Sequence, residues 1–179
     1  MLLHDTLPSR GALLAHSLQA SIFYQAEDGS IINAIYGCDI STGLYSQLES
    51  SPTTISETLN APTPHSETGL SAELLGSSTG YRVFFHDTNR AIHMLWFTNS
   101  AKWVYGGVLS PQSASSKAIA SLHSSGSNIT VFYPQGDNIG AARQWSSDKN
   151  FHLCKSTQLP RTNLEWQSSA TGGQAKLLK

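Results

Sequence analysis

Short apolar and aromatic runs, separated by polar turns, recur along the chain. YRVFFHD at 81–87 and RAIHMLWF at 90–97 are two neighbouring runs with a few polar residues between their apolar parts. Runs of this length that are rich in aromatic and β-branched residues and end in Asn, Asp, Gly or Ser are typical of antiparallel strands joined by tight turns. The pattern predicts an all-β chain with negligible helix.

These strands form a unit that occurs three times. In each unit a strand of small residues is followed by an apolar-aromatic strand, a second alternating strand and an aromatic-led strand. Between the second and third units, positions in three different strands are shifted by the same 48 residues. The pairs are Gly69 and Lys117, Arg82 and Thr130, and Trp103 and Phe151. A constant shift across three strands indicates an internal repeat rather than a lone hairpin.

The repeat predicts the organisation of the domain. We expect one domain over 1–179, with units at about 11–48, 69–110 and 117–158. Residues 49–68, ESSPTTISETLNAPTPHSET, are rich in Ser, Thr and Pro, which is typical of an exposed loop between units. The expected centres of the three units are Phe23, Phe84 and Phe132.

Four-stranded repeats of about 40 to 50 residues are typical of the blades of a β-propeller. The sequence therefore predicts a propeller-type fold with about three blades. Propellers have four to eight blades, so three do not close a ring. Either the ring closes between chains or the chain is part of a longer propeller. For the first case we expect a homodimer, because two-fold symmetric dimers are the commonest oligomers.

Charge and hydropathy narrow the partners. The net charge is −1 and only 13% of residues are charged, so we expect neither nucleic acid nor an anionic membrane as a partner. No apolar run approaches the roughly 20 residues of a membrane span, and no basic segment precedes an apolar run at the N-terminus. These patterns predict a soluble chain without a visible export signal, cytoplasmic or non-classically exported.

Catalytic and metal-binding patterns are not apparent in the sequence. Cys38 and Cys154 have no metal-ligand spacing and are expected to be ordinary buried thiols. His86 and His93 lie on neighbouring predicted strands, where surface or hydrogen-bonded side chains are expected rather than metal ligands. Nucleophile-elbow, P-loop and dinucleotide motifs do not occur. We expect no enzyme activity, no cofactor and no metal.

Aromatic and polar residues recur at the same place in each unit. Aromatic rings stack on the apolar faces of sugars, while Arg, Asn and Glu side chains bridge hydroxyl groups. A groove between two blades is therefore a candidate carbohydrate site. The same aromatic residues are also expected in a structural core, so a propeller that acts as a protein-protein interaction module remains the alternative.

The strands also resemble a known family. Four segments carry the resemblance: 82–85, 92–94, the Trp-led 103–107, and KAIAS at 117–121. In their order and spacing they are similar to the fungal fucose-specific lectins, six-bladed propellers of the Aleuria lectin type. The resemblance extends from Gly11 to about Pro160 and is best in the second unit. It implies that fucose binds between two blades, held by an Arg on the second strand, a Glu twelve residues later and an aromatic residue of the next blade.

This resemblance implies a set of site positions in the chain. In the groove between the first and second units they are Ser21, Asn33 and Trp103. Between the second and third units they are Arg82, Met94 and Phe151, and the third unit contributes Thr130 and Ala141. No groove keeps all three family residue types, so we expect weakened or altered fucose sites. The predicted carbohydrate-binding residues are Arg82, Phe151, Trp103 and Asn33.

Overall fold

A computed structural model describes residues 11–16, 19–48, 52–57, 60–75, 80–98, 102–110, 116–124, 128–136, 138–144 and 151–154. These ranges contain thirteen strands and no α-helix. The strands form three separate antiparallel sheets that follow one another along the chain. The predicted all-β chain is confirmed.

Sheet I is the first of the three and has the order β1-β2-β3-β4. Its strands are β1 (Gly11–His16), β2 (Gln19–Gln25), β3 (Ile31–Cys38) and β4 (Tyr45–Gln47). A fifth strand, β5 (Thr53–Thr54), pairs with β3 beyond the end of β4. Each of the four predicted strands of the first unit is present, and the short fifth strand is an addition to them.

Sheets II and III each have four strands in sequence order. Sheet II contains β6 (Ser71–Leu74), β7 (Tyr81–His86), β8 (Ile92–Thr98) and β9 (Lys102–Ser110). Sheet III contains β10 (Ala120–His123), β11 (Ile129–Gln135), β12 (Asn138–Gln144) and β13 (Phe151–Cys154). The regular meander arises because each strand is joined to the next by a short connection, which favours antiparallel neighbours.

The tight turns follow from local sequence. Between β2 and β3, Gly29 has a φ of 90°, and its N–H donates to the carbonyl oxygen of Ala26 at 3.0 Å. The Asp28 carboxylate accepts from the backbone N–H and the hydroxyl of Ser30 at 2.9 and 2.6 Å. Gly136 has a φ of 60° in the corresponding turn between β11 and β12. Glycine is favoured at both positions because a side chain strains a positive φ.

Sheet II lies between the other two sheets, and both of its faces are covered. On one face, Val83, Phe85 and Leu95 pack with Phe23 and Ile31 of sheet I. On the other face a second cluster joins sheet II to sheet III. Its buried members are Leu75, Phe84, Ile92, Met94, Leu109, Ile129, Val131, Tyr133 and Ala142. Alternate residues along β7 therefore serve two different cores, as the two-residue period of a strand requires.

Part of the segment 49–68 is buried, contrary to the prediction of an exposed loop. Ile55 is fully buried in the core between sheets I and II, and the hydroxyl of Ser56 accepts from the N–H of Ile31 at 2.8 Å. Thr68 is fully buried, and its hydroxyl accepts from the N–H of His86 at 2.8 Å. The composition was misleading because Ser and Thr hydroxyls here satisfy backbone groups inside the fold.

Candidate functional site

Five of the site residues predicted from the sequence lie at two interfaces between adjacent sheets, which we call grooves: Ser21, Asn33, Trp103, Arg82 and Met94. Groove one is the interface of sheets I and II, and groove two is the interface of sheets II and III. The register across each hairpin places Asn33 opposite Phe23, Met94 opposite Phe84, and Ala141 opposite Phe132. The residues predicted at the glutamate position are therefore structurally equivalent in the three sheets.

Groove one is lined by a cluster of aromatic rings. The ring of Phe23 meets Tyr81 and Trp103 edge-on, each with 5.8 Å between ring centroids. Phe97 lies 5.3 Å from Trp103 and 6.2 Å from Tyr81 between centroids. Phe23 is fully buried while Tyr81, Phe97 and Trp103 are partly exposed. The cluster is built into the blade contact and also presents partial aromatic surface, the type of surface on which sugar rings stack.

The polar members of groove one are deeply buried. Ser21 is 2% exposed and Asn33 is 5% exposed. The Asn33 carbonyl oxygen Oδ1 has no hydrogen-bond partner among the described residues. Phe23 connects Asn33 with Trp103, because it lies opposite Asn33 in the β2–β3 pair and contacts the Trp103 ring.

Groove two contains a buried cation. Arg82 is 7% exposed, and its guanidinium carbon lies 4.8 Å from the centre of the Trp96 ring. Its Nη1 donates to the carbonyl oxygen of Tyr81 at 3.0 Å. Burial lowers the pKa of Arg82 to about 10, so the side chain remains charged at neutral pH. The tryptophan face partly replaces the water that burial removes from this cation.

Glu73 lies beside Arg82 and was not among the predicted site residues. The two residues are opposite one another in the β6–β7 pair, and Trp96 is opposite Arg82 in the β7–β8 pair. The hydroxyl of Ser121, on β10 of sheet III, donates to Glu73 Oε1 at 2.8 Å. Desolvation raises the pKa of Glu73, against smaller lowering effects from Ser121 and His123. The sequence signal was one carboxylate within a strand of otherwise small and apolar residues.

The remaining predicted positions are apolar or lie outside the described side chains. Met94 is 5% exposed in the core between sheets II and III, where a thioether cannot bridge two hydroxyls as a carboxylate does. The backbone of Phe151 pairs with Gln144, but its side chain lies outside the described residues. Thr130 and Ala141 are half-buried on β11 and β12.

The histidines on β7 and β8 are buried in a polar cluster at one end of sheet II. His93 Nδ1 lies 2.8 Å from the Tyr105 hydroxyl, and His93 Nε2 lies 3.1 Å from Asp87 Oδ2, an ion-pair distance with poor hydrogen-bond geometry. His86 Nδ1 lies 3.5 Å from the Thr68 hydroxyl. No group of three metal-ligating side chains occurs in the described ranges. Cys38 is a free thiol and is half-buried rather than buried as expected, and the Cys154 side chain is not described.

Comparisons with known proteins place this fold. No protein-family model and no curated protein matches the sequence. Among solved structures, the chain is similar to AofleA from Arthrobotrys oligospora, with 10% identity and a TM-score of 0.61 over 81% of this chain. It is also similar to the Aleuria aurantia lectin, described as a six-bladed β-propeller, with 19% identity and a TM-score of 0.60 over 83% of this chain. The chain has the β-propeller fold of the fungal fucose lectins.

The match also fixes how much of that lectin propeller the chain represents. It spans 41% of the AofleA chain and 48% of the Aleuria aurantia lectin chain. Three blade-like sheets therefore correspond to about half of a six-bladed lectin propeller, as predicted. A further structure of the Aleuria aurantia lectin contains α-methyl-L-fucoside, with 20% identity to this chain and a TM-score of 0.62. In the described ranges, no helix is long and apolar enough to cross a membrane.

Proposed function

We propose that this protein is a non-enzymatic lectin that binds a carbohydrate, fucose or a related sugar, in a groove between two blades. The observation that carries the proposal is Arg82 stacked on Trp96 in an interblade groove of a lectin-type propeller. Arg82 occupies the position at which the lectin resemblance expects the cation. A guanidinium donates to adjacent sugar hydroxyls, and a neighbouring aromatic ring contributes apolar surface.

Groove two is the preferred site in this proposal. It combines a cation, a neighbouring carboxylate and a hydroxyl from the next sheet, the donors and acceptors that a sugar diol requires. Groove one offers more aromatic surface, but its polar members Asn33 and Ser21 are neutral, while being as deeply buried as Arg82. Hydrogen bonds to charged groups contribute about 1.5–3 kcal/mol, roughly twice as much as neutral ones.

A glycan array tests the proposed function. The labelled full chain is expected to bind fucosylated glycans and to be displaced by free L-fucose, while the matched glycans without fucose remain unbound. Binding confined to another sugar would change the proposed ligand from fucose to that sugar and leave the lectin proposal standing. Absence of glycan binding, together with sugar-insensitive capture of a protein partner, would replace the lectin with an interaction module.

We also propose that two copies of the chain form one six-bladed ring. Each chain contributes three sheets, and the outer sheets each have one face directed away from sheet II. On sheet III, Leu122 is 50% exposed, and the strand beside it carries the half-buried Phe132. Light scattering at tens of micromolar is expected to give roughly twice the 19.3 kDa chain mass. A stable species at the chain mass would contradict the dimer.

A further inference from the structure

We infer that Glu73 provides the carboxylate of the glycan site in groove two. This inference rests on the proposed function, and it assigns a specificity-determining residue to the first strand of sheet II. The lectin resemblance expects a glutamate on the third strand, where this chain has Met94. Glu73 is the cross-strand neighbour of Arg82 on the other side, on β6.

The β-sheet register places the required groups in one row. Glu73, Arg82 and Trp96 are successive cross-strand partners on β6, β7 and β8. Side chains directly opposite one another in antiparallel strands lie on the same face, with Cβ atoms about 4.5–5.5 Å apart. The side chains of Glu73 and Arg82 therefore leave neighbouring strands on the same face of sheet II, and the guanidinium lies over the Trp96 ring on the other side of β7 from Glu73. A sugar lying along this row can donate a hydrogen bond to the carboxylate and accept one from the guanidinium.

Sheet III holds the carboxylate toward the groove. The Ser121 hydroxyl reaches Glu73 Oε1 at 2.8 Å and lies 2.6 Å from the Ser71 hydroxyl, also on β6. The contact joins the first strands of two neighbouring sheets, so Glu73 lies at the contact between them rather than on the outer rim. A carboxylate fixed by a neighbour loses less side-chain entropy when it binds a ligand than a freely rotating one.

The environment of Glu73 also explains how it selects a ligand. Desolvation raises its pKa, which means that partial burial disfavours the ionised form and that a new hydrogen-bond donor is favourable. Sugar hydroxyls supply such donors without adding charge. A ligand lacking the hydroxyl next to the one held by Arg82 cannot donate this additional hydrogen bond to the carboxylate and binds more weakly.

Titration with methyl α-L-fucoside by calorimetry tests this role in the full chain. Glu73→Gln keeps the size of the side chain and an acceptor for Ser121 but removes the charge. Its affinity is expected to fall about tenfold to a hundredfold, with the melting temperature nearly unchanged. Glu57→Gln, at an exposed carboxylate, is the matched control and is expected to bind like the wild type.

A second variant tests whether Glu73 binds the sugar or only stabilises the contact between sheets II and III. Glu73→Asp keeps the charge but shortens the side chain that Ser121 contacts, so it is expected to retain more of the sugar affinity than Glu73→Gln. A melting temperature that falls in both variants in step with their affinity would assign Glu73 to holding the sheets together and overturn the inference.

The outcomes for the wild type and the variant distinguish the two proposals. Equal sugar affinity of the wild type and Glu73→Gln would overturn the role of Glu73 and leave the lectin proposal standing. A wild-type chain that binds neither methyl α-L-fucoside nor any glycan on the array would overturn the proposed function, and the role of Glu73 with it.

Discussion

The two faces of sheet II have the same strands but different chemistry. Toward sheet I, the partly exposed rings of Tyr81, Phe97 and Trp103 gather around the buried Phe23. Toward sheet III, the core is mainly aliphatic and is crossed by the polar row of Glu73 and Arg82. One face therefore offers stacking surface and the other offers charge, because alternate residues of a strand belong to opposite faces.

For the proposed sugar site, this difference indicates which groove has the more selective chemistry. Aromatic stacking is tolerant, since most sugars have an apolar face, whereas a paired donor and acceptor require hydroxyls in a particular arrangement. Desolvated Arg82 stacks on Trp96 and lies beside Glu73, so groove two has the more selective chemistry. Burying charged groups at the contact between two sheets costs free energy, because each charge then needs a hydrogen-bond partner or an opposite charge within that contact.

The largest loss of stability is expected when the phenylalanine at the centre of sheet I or of sheet II is replaced. Phe23→Ala and Phe84→Ala each remove a fully buried ring and are expected to cost about 3–5 kcal/mol of unfolding free energy. Chemical denaturation measures the loss. Phe23→Ala is expected to alter the native-state tryptophan fluorescence more than Phe84→Ala, because Phe23 contacts the Trp103 ring edge-on. Phe132→Ala, at a half-buried ring, is the control and should cost less.

The buried part of the segment between sheets I and II is expected to matter almost as much. Ile55→Ala opens space in the groove-one core and is expected to cost about 2–5 kcal/mol in thermal or chemical unfolding. Ile40→Ala, at a residue that is 75% exposed, is the matched control and should stay within about 0.5 kcal/mol of the wild type. Similar small losses of unfolding free energy in both variants would contradict the burial of Ile55 and support the prediction of an exposed loop.

Acid is expected to weaken the fold through the histidine cluster at the end of sheet II. Burial lowers the pKa of His86 to about 4, with a smaller lowering effect from the charge of His65. Between about pH 6.5 and pH 4 the unfolded chain binds this proton and the folded chain does not, so stability falls as pH falls. The loss is on the order of 2–3 kcal/mol from this group.

Unfolding free energy measured from pH 7 to pH 4 tests this slope. His86→Gln should flatten it, while His123→Gln, at a half-buried histidine on sheet III, should retain most of it. If the unfolding free energy of His86→Gln depends on pH as steeply as that of the wild type, a group other than His86 causes the acid sensitivity.

The smallest expected stability effect comes from the cation of groove two. Arg82→Met keeps an apolar stem against Trp96 but removes the charge over the ring, so about 0.5–2 kcal/mol is expected to be lost in thermal unfolding. A loss above 4 kcal/mol would show that Arg82 chiefly supports the blade contact.

The repeat made the strands predictable, but it did not make their environment predictable. The recurring four-strand pattern was sufficient to predict twelve strands that are present in the structure, and the shift of 48 residues supported it between the second and third units. Asn33, Met94 and Ala141 lie opposite Phe23, Phe84 and Phe132. Spacing along one chain does not reveal the neighbour across a hairpin, so Glu73 was missed although it lies opposite Arg82. It also does not reveal how closely two sheets pack, which is why the 7% exposure of Arg82 could not be foreseen.

The composition of residues 49–68 led to the wrong prediction that this whole segment is an exposed loop. Ser, Thr and Pro are common in exposed loops, but this segment places Ile55 in the core and pairs Thr53–Thr54 with β3. Thr68 links the two sheets, because its N–H donates to Gln25 Oε1 at 3.0 Å and its hydroxyl accepts from the N–H of His86. Tertiary hydrogen bonds of this kind leave no periodic pattern in the sequence.

Comparing Arg82→Met with Trp103→Leu tests whether the sugar binds in groove two, as proposed, or in groove one. Calorimetric titration of each folded variant with methyl α-L-fucoside is the measurement. We expect Arg82→Met to lose at least about tenfold in affinity, since a charged hydrogen bond is removed, and Trp103→Leu to stay within a few-fold of the wild type. Full affinity in Arg82→Met together with loss of binding in Trp103→Leu would contradict this expectation and assign the sugar to groove one.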